Sequence, residues 1–314
     1  MTTLLRSFNQ LGSVWQAGVV TIGNFDGLHL GHQQLIERVV QRAKQEQRPS
    51  ILITFEPLPH EWFAKEHSPP ARLMRLREKY YFLRRLGLDL LLVLPFNSSL
   101  MSLPAEDFIQ QVLYKSLKIN HLIIGDDFHF GAKRRGNYQM LQHYAAQYSY
   151  TVAQSTAVVY ENQRISSTRV REALATGDHN LTLALLGRPY SMIGRVRQGA
   201  RLGRQLGFPT ANIFVQRRVT PVHGIYFVLV RGLSEKLLPG AANIGTRPTV
   251  NGNRILLEVH LLDFTADIYG REVEVIFCKK LRCEERYDSL QKLQQAIAND
   301  VKQARHYFIQ QGVL

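Results

Sequence analysis

The chain has 314 residues, of which 45% are hydrophobic, so it is long enough for two ordinary domains and too apolar to stay disordered. Its longest uncharged apolar run in the first half, Leu90–Phe96, is far below the roughly 20 residues of a membrane span, and Met1–Trp15 lacks a signal-peptide core. The formal net charge of +14 fits a cytoplasmic protein that handles polyanions, either phosphorylated small molecules or nucleic acid.

Strand and helix patterns alternate through the first half of the chain. The predicted strands are Val19–Ile22, Ile51–Phe55, Leu90–Leu94 and His121–Ile124. The predicted helices are His32–Glu46, Arg72–Leu86 and Pro104–Lys118. Such alternation predicts an α/β domain with a parallel sheet that is covered on both faces and binds ligands at the carboxyl ends of its strands.

The pattern changes after about Gly187. Short strands with Gly- and Pro-rich turns are predicted at Ser191–Val196, Ile225–Val230, Leu256–Leu262 and Val273–Phe277, with no obvious helix between them. A long amphipathic helix is predicted over Asp288–Gln311. The shift predicts two domains, 1–187 and 188–314, the second being a small antiparallel barrel or sandwich.

A glycine- and histidine-rich run, G-N-F-D-G-L-H-L-G-H over Gly23–His32, follows the first predicted strand directly. Its glycines permit close approach of the backbone to a ligand. His29 and His32 flank a predicted helix start, where imidazoles and backbone N–H groups can donate to phosphate oxygens. This arrangement favours a nucleotide α-phosphate site over a metal site, because no third soft ligand lies nearby.

Two further runs point to the same end of the predicted sheet. G-D-D-F-H-F-G over Gly125–Gly131 follows the strand that ends at Ile124. I-S-S-T-R-V-R over Ile165–Arg171 opens a helix with three hydroxyl groups and brings Arg171 to its anion-binding end.

Together these three runs resemble the adenylyltransferase half of bacterial riboflavin kinase/FAD synthetases, within the wider H-x-G-H nucleotidyltransferase group. The sequence departs from that family at His129, where the family more often has Arg. The resemblance implies a Rossmann-like domain that transfers the adenylyl group of ATP to FMN, whose phosphate needs no general base. It implies that His29 and His32 are catalytic, and that ATP and FMN are held by two sets of residues. The ATP set is Gly23, Asn24, Phe25, Asp26, Gly31, Ser166, Ser167, Thr168 and Arg171, and the FMN or nucleotide set is Gly125, Asp126, Asp127 and Phe128.

The second half carries a different glycine-rich run, from Gly194 to Ile213. It lacks the ending of a P-loop, but its glycines and the Arg201 and Arg204 side chains can wrap phosphates. Thr210 and Asn212 are two apart, so on an extended chain both point the same way and offer neutral oxygen donors to Mg²⁺ shared with ATP. The candidate ATP-binding residues of this half are Gly199, Gly203, Gly207, Phe208, Pro209, Thr210 and Asn212.

Two later runs extend this pattern, N-I-G-T-R-P-T over Asn243–Thr249 and the strand that contains Glu258 and His260 on one face. The second half thereby resembles the riboflavin kinase fold, a six-stranded Greek-key barrel. The resemblance implies that Glu258 takes the proton of the ribityl 5′-hydroxyl as it attacks the γ-phosphorus of ATP, with Mg²⁺ on Thr210 and Asn212.

Three alternatives remain open at this stage. The charge, with eight arginines and no acidic residue over His179–Ser234, also suits a nucleic-acid-binding module, although ribonucleoprotein, zinc-finger and helix-turn-helix signals are missing. The second alternative is an enzyme that has lost one of the two activities. The third is a flavin-sensing regulator, for which Glu258 is dispensable. We predict the bifunctional enzyme, a monomer or weak oligomer with ATP, riboflavin, FMN and Mg²⁺ as partners and no nucleic acid or membrane.

Overall fold

The computed structural model describes residues 2–64, 68–199, 202–249 and 252–314. The chain divides into two compact units, the first formed by Met1–Pro70 with Met74–Ser167 and the second by Ala71–Leu73 with Thr168–Leu314. The predicted domain boundary between residues 187 and 188 stays a prediction. No helix in the described part of the chain is both long and apolar enough to cross a bilayer.

A six-stranded parallel sheet organises the first unit, which confirms the predicted α/β class. Its strands follow the order β1-β4-β3-β2-β5-β6, and each neighbouring pair is parallel. They are β1 (Thr3–Leu5), β2 (Val19–Ile22), β3 (Ser50–Glu56), β4 (Leu90–Pro95), β5 (His121–Gly125) and β6 (Thr151–Ser155). The two edge strands, β1 and β6, are missing from the sequence prediction because they are short and only partly buried.

The helices of this unit cover the sheet on both faces. They are α1 (Leu30–Gln45), α2 (Pro59–Phe63), α3 (Leu76–Arg85), α4 (Ser98–Ser102), α5 (Ala105–Asp107) and α6 (Tyr138–Tyr148). Neighbouring residues of β2 pack into the two different hydrophobic cores. Val19 packs with α1 and α3, and Val20 packs into the core on the opposite face of the sheet.

One predicted α-helix of the first unit has a different geometry. In place of an α-helix over Pro104–Lys118, α5 continues into a π-helix over Phe108–Ser116. The buried residues of this helix are Phe108, Ile109, Val112 and Leu113. Over only nine residues, this apolar spacing does not distinguish a π-helix from an α-helix.

Three connecting elements follow the sheet in chain order. A short hairpin, β7 (Val159–Tyr160) and β8 (Gln163–Arg164), precedes α7 (Ser167–Thr176) and α8 (His179–Leu186).

The second unit contains a closed antiparallel barrel with strand order β10-β13-β12-β11-β14-β9, which confirms the six-stranded prediction. The strands are β9 (Ser191–Arg197), β10 (Ala211–Phe214), β11 (Gly224–Arg231), β12 (Leu238–Thr249), β13 (Gly252–Leu261) and β14 (Glu272–Arg282). Strands β10 and β12 were not predicted, because β10 has only four residues and the prolines and glycines of β12 weaken a strand signal. A short helix, α9 (Leu202–Gln205), lies where the sequence analysis expected none.

The predicted C-terminal helix is present as α10 (Leu290–Gln310). Its Ala304 and Phe308 are buried with Phe227 and Ala241 of the barrel. Arg282 at the end of β14 donates from two nitrogens to the Asp300 carboxylate of α10, at 2.6 and 2.9 Å. The buried aspartate thus joins the helix to the strand.

Candidate active sites

The loop between β2 and α1 presents the two predicted histidines of the first site. Phe25 and Leu28 have φ values of +47° and +45°, so the backbone turns sharply before the helix. His29 is the N-cap of α1, and its Nδ1 accepts a hydrogen bond from the N–H of His32 at 3.3 Å. The two rings stack with centroids 3.6 Å apart. A Cβ atom at Gly31 would lie 3.3 Å from the His29 ring, which is closer than an ordinary van der Waals contact.

Burial determines the protonation state of both imidazoles. The pKa of His29 is lowered to about 4, chiefly by loss of hydration and next by the nearby Arg164 guanidinium, whereas Asp26 and Asp127 act in the opposite direction. Loss of hydration also lowers the pKa of His32, with contributions from His29, Lys79 and Arg164. His29 is therefore neutral at pH 7, and because its Nδ1 accepts a hydrogen bond, its proton is on Nε2. That Nε2–H is a donor of the kind a phosphate oxygen requires.

Arg164 joins the second predicted run to this loop. Its guanidinium donates to both Asp126 carboxylate oxygens, at 3.1 and 2.6 Å, and lies 3.0 Å from the Asp127 carboxylate. Its charge also acts on His29 and His32. The hairpin therefore brings a cation to the histidines and to the run that begins at Gly125. Sequence reasoning missed Arg164 because it precedes the I-S-S-T run, and a surface hairpin arginine carries no distinguishing pattern.

The third run contacts the same loop through Ser167. Its hydroxyl donates to the backbone carbonyl of Asp26 at 2.8 Å. The Asp26 side chain is buried and accepts a hydrogen bond from the N–H of Met74 at 3.0 Å. Residues from all three predicted runs thus converge beside the start of α1.

Not all of the predicted ATP residues belong to the first unit. Thr168 and Arg171 fall in the second unit, where the Arg171 Nε donates to the Ala71 carbonyl at 2.6 Å. His129 is exposed, and its ring nitrogen lies 3.0 Å from the Asp127 carbonyl. The phosphate roles of Thr168 and Arg171 stay predictions.

An aromatic cluster that the sequence analysis did not single out lies at the carboxyl ends of β3 and β4. Phe55, Trp62 and Phe63 all pack edge-on around Phe96, with ring centroids 5.9–6.4 Å apart. The Phe63 side chain is 64% exposed. An exposed aromatic at the ligand-binding end of a parallel sheet is a surface suited to a planar ring.

In the barrel, the pairing register of the strands brings predicted residues of the kinase site together. Asn212 of β10 and Asn243 of β12 both pair with Glu258 of β13, so the three residues are direct cross-strand neighbours. Glu258 and His260 are half-buried while Leu257 and Val259 are fully buried, which confirms that the polar pair shares the outer face.

The loop before β10 is tied to the same strand by His260. Its Nδ1 lies 2.9 Å from the Pro209 carbonyl, and its ring packs edge-on against Phe208. The F-P-T-A-N run is thereby held beside the E-x-H strand.

The spaced glycines of the second half approach the predicted magnesium ligands closely. A side chain at Gly199 would lie 2.5 Å from the Asn212 amide, and one at Gly203 would lie 3.2 Å from the Thr210 hydroxyl. Gly207 has a φ of +86°, which glycine adopts readily. Gly199 and Gly203 thus lie beside the two candidate oxygen ligands. Arg201 lies outside the described residues, and Arg204 is exposed.

Asn243 is the first residue of the N-I-G-T-R-P-T run, and the sequence predicted no role for it. Its Oδ1 is buried and has no hydrogen-bond partner among the described residues, beside the predicted base. Sequence alone offered no signal for this, since only the barrel register makes Asn243 a neighbour of Glu258.

Comparison with known proteins assigns both halves. Residues 12–169 match the FAD synthetase family and residues 186–308 match the riboflavin kinase family. The chain is 46% identical over 308 residues to the bifunctional riboflavin kinase/FMN adenylyltransferase of Escherichia coli, covering 97% of each chain. The chain belongs to the bifunctional riboflavin kinase/FMN adenylyltransferase family.

Other relatives agree over the full length. The Haemophilus influenzae and Pseudomonas fluorescens members of the bifunctional riboflavin kinase/FMN adenylyltransferase family are each 45% identical, and the matches cover 97% and 96% of this chain and 99% and 96% of theirs. A solved structure named as a macrolide-efflux protein from Streptococcus pneumoniae is 30% identical and superposes with a TM-score of 0.79, covering 95% of this chain and 97% of its own. The similarity therefore spans both units, and the chain carries both domains of the family.

Proposed function

We propose that the two sites described above carry out the two reactions of the family. The chain phosphorylates riboflavin to FMN with ATP and then transfers the adenylyl group of a second ATP to FMN, giving FAD and pyrophosphate. The observation that supports the residue assignment most directly is the register pairing of Glu258 with Asn212, because it sets a carboxylate beside a candidate metal ligand.

In the kinase reaction the nucleophile is a neutral hydroxyl, so a base is needed. Glu258 takes the proton of the ribityl 5′-hydroxyl while that oxygen bonds to the γ-phosphorus of ATP and ADP leaves. The glycine loop around Gly199, Gly203 and Gly207 approaches the phosphates through its backbone. Asn243, whose side-chain Oδ1 has no hydrogen-bond partner among the described residues, accepts a hydrogen bond from the substrate beside Glu258.

Thr210 and Asn212 are the residues that would hold Mg²⁺. They fit the ion because their oxygens are neutral, lie two residues apart and face glycines whose missing side chains leave room for phosphate and water. When bound, Mg²⁺ offsets negative charge on the transferred phosphoryl group.

In the adenylyl transfer the nucleophile is the FMN phosphate, which is already ionised at neutral pH. A phosphate oxygen of FMN bonds to the α-phosphorus of ATP while the bond to the pyrophosphate oxygen breaks. His29 and His32 donate to the α-phosphate oxygens as neutral imidazoles, and Arg164 adds a positive charge next to them. Ser166, Ser167, Thr168 and Arg171 bind the pyrophosphate portion.

The flavin ring of FMN stacks at the sheet end, on the aromatic surface of Phe63 and its neighbours Phe55, Trp62 and Phe96. Gly125, Asp126, Asp127 and Phe128 border the same end of the sheet and complete the FMN and nucleotide site. The enzyme works in the cytoplasm, where ATP is available, as a monomer or weak oligomer.

The test is product chromatography after incubation with riboflavin, ATP and MgCl₂. We expect FMN to appear first and FAD to follow at its expense. Formation of neither flavin nucleotide, together with tight and salt-sensitive binding to random DNA, would instead support the nucleic-acid-binding alternative.

A further inference from the structure

A buried lysine behind the first site calls for an explanation. Lys79 is the fourth residue of α3, near the N-terminal end of the helix, and is only 3% exposed. Both features are unfavourable for a cation, since burial removes hydration and the helix dipole is positive at that end. A buried ammonium is stable only where polar partners replace the lost water.

The ammonium of Lys79 is directed at the loop that carries the histidines. It donates to the backbone carbonyl of Asn24 at 2.6 Å and to the Thr54 hydroxyl at 3.2 Å. The Thr54 hydroxyl donates to the same carbonyl at 3.2 Å. One carbonyl oxygen thus receives two donors, one of them charged, from α3 and from β3.

The Asn24 carbonyl lies at the start of the turn that leads to His29. Asn24 directly precedes Phe25, whose φ of +47° begins the sharp turn toward His29. Because a trans peptide is planar, fixing the Asn24 carbonyl also fixes the plane of the next N–H and the start of the turn. A left-handed conformation at a bulky residue persists only when its surroundings hold it.

We propose that Lys79 is a positioning residue for adenylyl transfer, which holds the Asn24–Phe25 peptide and so orients His29 and His32. Its positive charge also acts on the His32 imidazole, together with His29 and Arg164, while Asp26 and Asp127 act on the neighbouring His29. This inference rests on the proposed adenylyl-transfer site.

The test compares K79M, K79R and T54V in the full-length protein, with FMN formation from riboflavin measured in the same preparations. For K79M we expect kcat of FAD formation to fall about 10- to 100-fold, the range for one lost charged hydrogen bond. We expect KM for ATP to stay within about threefold and the kinase rate to be unchanged, because the proposed role of the lysine is to position the histidines and not to bind substrate. K79R, which keeps the charge, should recover part of the rate.

A second readout separates positioning from simple packing. In K79M the NMR titration midpoint of His32 should move to higher pH, because a repelling cation has been removed, and in T54V it should stay in place. An FAD rate within threefold of the parent in K79M, or an unmoved His32 midpoint with K79R as inactive as K79M, would overturn the proposal. If K79M does not fold, T54V decides: it removes the second donor to the Asn24 carbonyl, so FAD formation should fall, and a parental rate would contradict the proposal.

The failure of this inference is distinguishable from failure of the proposed function. If replacing His29 and His32 leaves FAD formation intact, the site itself is wrong. If that replacement abolishes FAD formation while K79M has no effect, only the role of Lys79 is wrong.

Discussion

The two proposed phosphate sites of this chain use different chemical groups. The first uses buried imidazoles at the start of a helix, where His29 is 7% exposed and its pKa is lowered to about 4. The second lies on the half-buried outer face of a barrel, where a carboxylate stands between two asparagines. The difference between the sites matches the difference between the two nucleophiles. The ionised phosphate of FMN requires only hydrogen-bond donors and positive charge around the ATP phosphates, whereas the hydroxyl of riboflavin also requires a base.

The largest effect is expected when the donors of the first site are removed. His29→Ala combined with His32→Ala should lower FAD formation from FMN by at least about 10³-fold, since one such donor is worth about 3 kcal/mol. FMN formation from riboflavin should be unaffected, because the barrel supplies its own site. Product chromatography from each substrate gives both rates, and equal loss of both would show that the sites are not separate.

The reverse loss is expected in the barrel. Glu258→Gln keeps the shape of the side chain but removes the base, so riboflavin phosphorylation should fall by about 10²- to 10⁴-fold. Adenylylation of supplied FMN is the matched control and should be unchanged. A rate of FMN formation near that of the parent would show that Glu258 is not the base of the kinase reaction.

A smaller effect should distinguish the metal requirement of the two halves. Thr210→Val removes one candidate oxygen ligand, so the Mg²⁺ concentration for half-maximal kinase activity should rise about tenfold or more. A Mg²⁺ titration of FAD formation in the same variant serves as the control and should not shift. An unshifted kinase curve would remove Thr210 from the proposed ligand set.

The last prediction concerns stability and pH instead of a reaction rate. The pKa of His29 is about 4 in the folded chain and near 6.5 when unfolded, so the unfolded chain binds the extra proton between these values. Stability of the first unit should therefore fall as pH decreases from 6.5 to 4, by up to about 3 kcal/mol from this group. Urea unfolding of full-length His29→Asn should show a shallower loss across that range, and an equal loss would contradict the burial of a neutral imidazole.

Strong local patterns predicted much of this architecture. Val19–Ile22 and Leu90–Leu94 are buried β-branched or leucine runs, and both are strands of the sheet. β12 was missed because its prolines and glycines are tolerated only through pairing with β11 and β13, which is a long-range property. The sequence motifs located His29, His32 and Glu258, and the resemblance supplied the roles proposed for them.

Residues whose importance arises from tertiary contacts could not be predicted from the sequence. Arg164 belongs to the first site because a hairpin places it beside Asp126, and Asn243 belongs to the second because of barrel register. Lys79 looked like one basic residue of an amphipathic helix, although it is buried against Asn24. None of these distances can be read from spacing along the chain.

The most direct test of two independent sites is to mix the two inactive variants. The His29→Ala/His32→Ala protein and the Glu258→Gln protein are each incubated with riboflavin, ATP and MgCl₂, and then together. We predict that the first alone stops at FMN, the second alone leaves riboflavin nearly unchanged, and the mixture forms FAD. FAD formation by the histidine variant alone, or a mixture that accumulates FMN without FAD, would contradict this account.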